Sequence, residues 1–183
     1  MKITLGIDNG SSGTLGFLDT RGKCLWFCET PVIKVPDFNT SSEVSISRLD
    51  PIRFSDLLAG MCLKYNCDRV SELDVVMERP LKNPRMFAAT WSGARCFEAQ
   101  LVCMMLLGIK PPRVIDSKTW QHSLLPGVQE SKKLKAASRD KGCALFPSFG
   151  AYIKDHGDAD GLLIAHWAWV ESQQHQGLAA LRK

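Results

Sequence analysis

Residues 3–19 read ITLGIDNGSSGTLGFLD, and their two apolar runs, 3–8 and 13–19, are separated by a turn rich in glycine and serine. Short β-rich runs joined by glycine turns are typical of antiparallel strands. A third run of the same kind, KCLWFCE at 23–29, follows another turn. The amino-terminal part of the chain is therefore predicted to form three antiparallel strands, the first of which ends on a charged residue, Asp8.

The rest of the chain alternates between helical and strand patterns. Asp50-Pro51 combines a helix-capping residue with a proline suited to the first helical turn, and apolar residues recur after it at helical spacing. Residues 30–50 are predicted as a long exposed loop and 172–183 as a tail. The other predicted segments are a strand at 73–78, a helix at 90–107, a strand at 112–116, and helices at 131–145 and 157–173.

This order predicts an α/β fold with one mixed five-stranded sheet, three antiparallel amino-terminal strands plus two parallel strands, flanked by helices. The length of 183 residues suits one domain covering 1–183. A composition of 45% hydrophobic and 23% charged residues excludes a disordered chain and a membrane bundle. Because the apolar stretches are short and the start lacks a signal peptide, we expect an intracellular protein with no membrane contact.

Basic residues are concentrated in the middle of the chain. The net charge of the whole chain is only +4, but residues 79–141 hold twelve Lys or Arg against four Asp or Glu. Such an asymmetry favours an anionic partner, with nucleic acid first among the candidates. A solvated basic face explains the charge equally well.

Four acidic residues stand where the fold would bring them together. Asp8 and Glu78 end apolar strands, and Asp155 and Asp160 lead into the last helix. A carboxylate at the end of a buried strand is unfavourable unless it is paired or binds a metal. Four carboxylates at one sheet edge would bind hard divalent cations, and two Mg²⁺ ions about 4 Å apart support phosphodiester hydrolysis. Taken singly, each acid also has a structural explanation in a turn, an ion pair or a helix cap.

Three motifs resemble those of the RuvC-type Holliday-junction resolvases: Gly6-Ile7-Asp8, Glu78 after an apolar strand, and DGLLIA at 160–165. The chain also resembles the organellar and phage-like branch of that family in three motifs: Trp91-Ser92-Gly93, LFPS at 145–148 and KDHG at 154–157. The resemblance extends from residue 3 to position 170. It implies an RNase H-like fold, a homodimer, and Mg²⁺- or Mn²⁺-dependent nicking of two opposed strands of a four-way DNA junction. It also implies a protein of the cytoplasm or nucleoid, or one encoded by a phage, with an organellar origin left open.

The resemblance implies a set of metal ligands. They are Asp8, which would bridge two ions, together with Glu78, Asp155 and Asp160. Bacterial relatives have an acid or a histidine three residues before the helical acid, where this chain has Gly157. The organellar branch has a carboxylate five residues before it, which selects Asp155, and His156 is the alternative. The chain also departs from the family at Asn9, where the family usually has proline.

The resemblance also implies which basic residues contact DNA. Lys118 and Lys132 resemble family lysines near the scissile phosphate, where each would hold a phosphate or stabilise charge in the transition state. The further DNA-contacting residues are Lys133, Lys135, Arg79, Lys82 and Arg85. A solvated helix face is the alternative for the lysines at 132, 133 and 135.

Apolar residues near the same site have two further implied roles. Leu81, Met86 or Phe87 could wedge between bases at the centre of the junction. The helix at 90–107 corresponds to the helix through which the family dimerises, and a two-fold dimer would place two active sites on opposed strands.

The first turn also resembles a phosphate-binding loop. GIDNGSSGT at 6–14 is similar to the loop with which sugar kinases and actin-like ATPases hold ATP through backbone N–H groups and hydroxyls. That family needs two such domains, for which 183 residues are too few. The alternatives to a junction nuclease are an ATP-binding fragment and an RNase H-like nuclease acting on another nucleic acid. A third alternative is a non-catalytic DNA-binding module, but the presence of Asp8, Glu78, Asp155 and Asp160 argues against it.

Overall fold

The computed structural model describes residues 1–37, 44–67, 70–128 and 130–180, without the side chains of 71, 84, 131, 132 and 176–180. The strands are β1 (Thr4–Ile7), β2 (Thr14–Leu18), β3 (Cys24–Glu29), β4 (Val32–Pro36), β5 (Ser45–Leu49), β6 (Asp74–Glu78) and β7 (Arg113–Ile115). The α-helices are α1 (Pro51–Lys64), α2 (Phe87–Leu106), α3 (Ser117–Leu124), α4 (Ser131–Leu145), α5 (Gly150–His156) and α6 (Asp160–Ala180).

The central sheet has five strands in the order β3-β2-β1-β6-β7. β1 pairs antiparallel with β2, and β2 with β3, whereas β1 and β6 are parallel, as are β6 and β7. The predicted α/β fold, a mixed sheet of three antiparallel and two parallel strands flanked by helices, is therefore confirmed. β1 lies at the centre of this sheet, between β2 and β6.

Each face of the sheet has its own apolar core, because successive side chains of a strand point to opposite faces. On one face, Leu5 of β1 and Met77 of β6 pack with Phe54 of α1 and Met104 of α2. On the other, Val76 packs with residues of α3, α5 and α6. Two buried faces explain why the central strands are apolar along their whole length.

The segment 30–50, predicted as an exposed loop, instead contains a small antiparallel sheet formed by β4 and β5, with Val32 opposite Leu49. The β-branched residues of β4 favour extended backbone, and its proline is the last residue of the strand, where it interrupts little pairing. The part of the prediction that covers 38–43 lies outside the described residues. The small sheet leads directly into α1, whose first turn is capped by the Asp50 side chain.

The carboxyl-terminal third also differs from the prediction. Helices α3 and α5 lie where the sequence predicts none, and α3 is started by Asp116, whose side chain accepts from the Lys118 N–H at 3.1 Å. Helix α6 begins at Asp160 rather than at 157, because Gly157 ends α5 in the left-handed conformation, with φ at 99°. It continues to Ala180, so most of the predicted tail is helical, and 181–183 lie outside the described residues.

Helices of the described part of the chain are also too short or too polar to span a membrane: none of them combines the required length with the required apolar character.

Candidate metal centre

The parallel pairing of β1 with β6 brings two acidic residues to one edge of the sheet. Ile7 lies opposite Met77 in the register, so Asp8, directly after β1, and Glu78, the last residue of β6, lie side by side at the carboxyl ends of the two strands. The Asp8 N–H donates to the Thr14 carbonyl oxygen at 3.0 Å, which fixes the backbone directly after β1. The predicted placement of two acids at neighbouring strand ends is therefore what the fold produces.

A very close approach between α6 and the sheet places Asp160 at the same edge. A Cβ atom on Gly6 would lie only 2.3 Å from the backbone of α6, and one on Gly161 only 2.5 Å from the Thr14 carbonyl oxygen, so only glycine permits this packing. The Thr14 hydroxyl accepts from the Gly161 N–H at 2.9 Å. The first turn of α6 is thereby anchored to β2, with Asp160 beside Asp8.

Three carboxylates meet at this point. One oxygen from each of Asp8, Asp158 and Asp160 lies within 4.8 Å of the other two. Asp158 is buried, and its Oδ1 accepts from the Asp160 N–H at 3.4 Å. Glu78, at the end of β6, is the fourth acid of this site, and its negative charge raises the pKa of Asp8. We call these four residues the acidic cluster.

Asp155, expected as the fourth ligand, does not join the acidic cluster. It lies exposed on α5, and Asp158 occupies the position expected for it. The left-handed Gly157 explains the difference, because it ends α5 and redirects the chain before residue 158. The Asp158-Ala159-Asp160 spacing is the sequence signal that points to the third close carboxylate, but it also fits a helix cap.

His156, the alternative ligand, borders the acidic cluster without belonging to the group of three close carboxylates. Its Nδ1 lies 3.1 Å from Glu29 Oε1 and its Nε2 lies 3.5 Å from Asp158 Oδ1. The ring also meets Phe27 of β3 edge-on, with centroids 6.3 Å apart. His156 thus joins the end of α5 to β3 and to one of the site carboxylates.

Two buried side chains hold the carboxylates in place, and sequence reasoning identified neither. The Trp120 indole N–H, from α3, donates to Glu78 Oε2 at 2.9 Å. The Ser138 hydroxyl, from α4, donates to Asp160 Oδ1 and accepts from the Ala159 N–H at 3.1 Å. Both contacts join residues far apart in the chain, so no local pattern indicates them.

Burial and mutual repulsion raise the pKa values of the site acids. Burial is the larger cause at Asp8, and the charges of Asp160, Glu78 and Asp158 raise its pKa further, to well above the ordinary value. Burial raises the pKa of Glu78 to about 7, against the hydrogen bond from Trp120. Burial, followed by the charge of Asp158, raises the pKa of Asp160 to about 6. Because ionised carboxylates this close together repel, and all their donor atoms are oxygens, the residues present fit a hard divalent cation.

The lysines of α4 differ in what they contact. Lys135 Nζ lies 3.5 Å from Asp158 Oδ2, and its charge lowers the pKa values of Asp8 and Asp160. Lys133 instead pairs with Glu130 at 2.7 Å on the exposed side of the helix. The side chain of Lys132 lies outside those that the structure describes. Lys135 is therefore the described lysine of this helix that reaches the acidic cluster.

The other predicted basic residues surround the same edge of the sheet. Lys118 is exposed in the first turn of α3, two residues before Trp120. Arg79 directly follows Glu78 and pairs with Asp116 at 3.4 Å. Lys82 and Arg85 are exposed in the segment between β6 and α2. All four residues are exposed, and their surface positions suit contacts with a large anionic ligand.

The architecture is similar to that of RuvC. A solved structure described as T. thermophilus RuvC in complex with Holliday junction substrate is 17% identical to this chain, with 94% of this chain and 96% of that chain covered and a TM-score of 0.54. A structure of Thermus thermophilus RuvC is 14% identical over the same shares, with a TM-score of 0.46. No family model and no curated protein matches the sequence. The chain thus has the RuvC-type, RNase H-like fold that the sequence predicts.

Proposed function

We propose that the protein is a metal-dependent endonuclease that resolves four-way DNA junctions by paired nicks. The observation that carries this proposal is the acidic cluster at the carboxyl ends of β1 and β6 in a RuvC-type fold. A junction is favoured as the substrate because the similar structure is RuvC bound to a Holliday junction substrate. The proposal treats the whole chain as one nuclease domain.

Mg²⁺ is the proposed cofactor, with Mn²⁺ as a substitute. Asp8 would be shared by two ions, and Glu78, Asp158 and Asp160 would complete the ligand set, with Asp158 in the role first expected of Asp155. These residues offer only oxygen ligands, which hard divalent cations prefer. When bound, such a pair of ions supplies an activated water and neutralises charge on the phosphodiester.

Side chains around the acidic cluster are proposed to position the carboxylates and to offset their charge. Trp120 and Ser138 hold one oxygen each of Glu78 and Asp160, so that these side chains lose little freedom when a ligand binds. Lys135 offsets part of the negative charge of the acidic cluster and presents an ammonium group at its edge. That group is placed to contact a phosphate entering the site.

The remaining basic residues are proposed to position DNA around the site. Lys118 and Lys132 would each hold a phosphate close to the acidic cluster. More distant phosphate contacts would come from Arg79, Lys82, Arg85 and Lys133. Because such contacts are electrostatic, they predict affinity that falls with salt and does not depend on base sequence.

We further propose a two-fold dimer formed through α2. The second half of this helix exposes Val102, Met105 and Leu106. An exposed apolar surface of this kind is typical of an interface. An isologous dimer would present two equivalent sites, which paired nicks on opposed strands require.

The ATP-binding alternative is less well supported. The Thr14 hydroxyl of the glycine-rich turn accepts from the Gly161 N–H and is fully buried, so it has little room for a phosphate. The Asp8 carboxylate also lies among other acids, which would repel a triphosphate without metal. An RNase H-like nuclease acting on another nucleic acid is the remaining alternative, since this chemistry does not select the substrate.

The decisive experiment incubates the protein with a strand-labelled four-way junction and with a duplex of equal sequence, each with and without Mg²⁺. We expect symmetric paired nicks in the junction, dependent on metal and absent from the duplex. Asp8→Asn and Glu78→Gln should abolish cleavage and leave junction binding in a gel-shift assay intact, because each removes a carboxylate and no DNA contact. Equal cutting of the duplex, or a variant that cuts at the parental rate, would refute the proposal.

A further inference from the structure

A groove of about 920 Å³ lies between the small sheet and the first half of α2. Its walls include Arg48 and Leu49 of β5 on one side and Phe87, Trp91 and Arg95 of α2 on the other. A cavity of this size accommodates a small planar ligand. The groove is separate from the acidic cluster, and none of the proposed metal ligands lines it.

The α2 wall of the groove is a stack of aromatic rings. Phe87 and Trp91 are stacked with centroids 6.1 Å apart and an interplanar angle of 16°, and the Arg95 guanidinium lies 5.8 Å from the Trp91 ring centroid. Phe87 is 70% exposed and Trp91 is 51% exposed. Large rings held parallel and exposed offer an open face on which another planar ring can stack.

The β5 wall contributes a polar group without a partner. The Nε atom of Arg48 is buried and has no hydrogen-bond partner among the described residues. The other charged residues lining the groove, Arg95, Asp37 and Glu98, leave it without net charge when Arg48 is included. This balance disfavours a phosphate and suits a neutral ligand that stacks and accepts hydrogen bonds, which describes a nucleobase.

The groove begins next to the acidic cluster. Ser11, which lines it, belongs to the turn that follows Asp8. In the same turn, Asn9 Nδ2 donates to the Gly93 carbonyl oxygen of α2 at 3.2 Å, so the turn and the aromatic wall are fixed to each other. The turn that follows Asp8 therefore connects the acidic cluster to one wall of the groove.

We propose that this groove binds an unstacked nucleobase of the DNA strand that is being cut, with Trp91 as the stacking platform and Arg48 as a hydrogen-bond donor to the base edge. The inference rests on the proposed function and adds a site of base recognition to it. Stacking would hold a base displaced from the branch point, where pairing is weakest.

The test compares two junctions, one with a single unpaired thymidine at the branch point and one with an abasic nucleotide in its place. Binding is measured by fluorescence anisotropy in EDTA, so that no cleavage occurs. For the parent, we expect affinity to fall about 5- to 150-fold when the base is removed, the range for loss of one base–aromatic stack. Trp91→Ala should lose affinity for the thymidine junction by the same factor and become insensitive to the presence of the base.

Two further variants make the result specific. Trp91→Phe keeps an aromatic face and should restore most of the sensitivity to the base. Tyr152→Ala, which removes an exposed aromatic ring of α5 that does not line the groove, should behave as the parent. The inference is overturned if Trp91→Ala weakens binding of both junctions equally. It is also overturned if light scattering shows that Trp91→Ala converts a dimer into a monomer, because the groove would then be an interface between copies.

The binding test and the cleavage test give separate outcomes, so failure of the groove proposal can be distinguished from failure of the nuclease proposal. Sensitivity to the base that depends on Trp91, in a protein that cuts no junction with Mg²⁺, would preserve the groove and refute the nuclease. Cleavage of junctions without any coupling between Trp91 and the base would preserve the nuclease proposal and refute base binding in the groove.

Discussion

Asp158 and Lys135 lie 3.5 Å apart, but only 4% of the Asp158 side chain is exposed, against 71% of the Lys135 side chain. The same contrast holds across the site. The carboxylates are fixed by strand ends, by the packing of α6 on glycines and by hydrogen bonds from buried groups, whereas the basic residues project from helix and loop surfaces.

The contrast follows from the partner that each set is proposed to meet. A metal ion requires ligands held within narrow limits, and the repulsion between those ligands must be offset by the fold. A nucleic acid is large and mobile, so phosphate contacts can be made by long side chains that adjust to it. Substitutions of carboxylates should therefore have large effects on chemistry, and substitutions of basic residues should have smaller effects that depend on salt.

The largest expected effect separates two aspartates in neighbouring turns. Asp158→Asn should reduce the single-turnover rate of junction cleavage by about 10³-fold, since losing a metal ligand costs several kcal/mol in the transition state. Asp155→Asn removes an equal charge from an exposed position and should stay within about twofold of the parent. A loss in Asp155→Asn equal to that in Asp158→Asn would return Asp155 to the ligand set.

How far the sequence predicts this site depends on whether the deciding contact is local. Asp8 and Glu78 follow apolar runs long enough to be recognised as strands, and parallel pairing then brings their ends together. Asp160 opens an apolar helix. The sequence pattern does not indicate Asp158, because the turn at Gly157 that redirects the chain depends on a backbone conformation, with φ at 99°, that no local spacing reveals.

The unpredicted parts of the fold have similar reasons. The sequence does not predict the small sheet, because its strands lie between prolines and serines, which are typical of loops, and its pairing joins β4 to a separate segment. Helix α3 has only eight residues, too few for a clear periodicity, and Trp120 contacts Glu78 across 42 positions of sequence. Contacts of this kind depend on the packing of whole elements and cannot be inferred from either segment alone.

The next prediction concerns the free energy of unfolding without metal, which the buried carboxylates lower when they are ionised. The folded state holds the pKa of Glu78 at about 7, above the ordinary value of 4.5, so it binds this proton more tightly than the unfolded state does. Protonation therefore favours folding, and stability from this group is lost as pH rises from 4.5 to above 7. The shift corresponds to about 3 kcal/mol.

Glu78→Gln has no such titration. In EDTA, the difference in the free energy of urea unfolding, variant minus parent, should therefore increase by up to that amount between pH 4.5 and pH 8, because the parent loses stability over this range and the variant does not. Adding Mg²⁺ at pH 8 should stabilise the parent more than the variant. A difference between the two proteins that does not change with pH would show that Glu78 is not held protonated by its surroundings.

Removing a supporting hydrogen bond should have an intermediate effect. Trp120→Phe keeps most of the buried ring but removes the N–H that donates to Glu78, and should weaken Mn²⁺ binding or cleavage by about 10- to 100-fold. Trp169→Phe is the matched control, since its indole N–H donates to the Thr20 carbonyl oxygen, away from the site. Calorimetric Mn²⁺ titrations that show equal losses in both variants would assign Trp120 a packing role only.

The smallest expected effect compares two exposed lysines of α4. Lys135→Ala removes the ammonium group beside Asp158 and should slow cleavage about 5-fold, equivalent to about 1 kcal/mol. If Lys135 holds a phosphate, the slope of log affinity against log salt should also fall by about 0.9.

Because Lys135 lowers the pKa values of Asp8 and Asp160, its removal should move the acidic limb of the pH–rate profile to higher pH. Lys133→Ala, which loses the surface pair with Glu130 and a distant phosphate contact, should also lower the salt slope, but its cleavage rate and pH profile should stay close to those of the parent. Equal changes of cleavage rate and pH profile in the two variants would mean that α4 acts through its total charge, without a specific contact at Lys135.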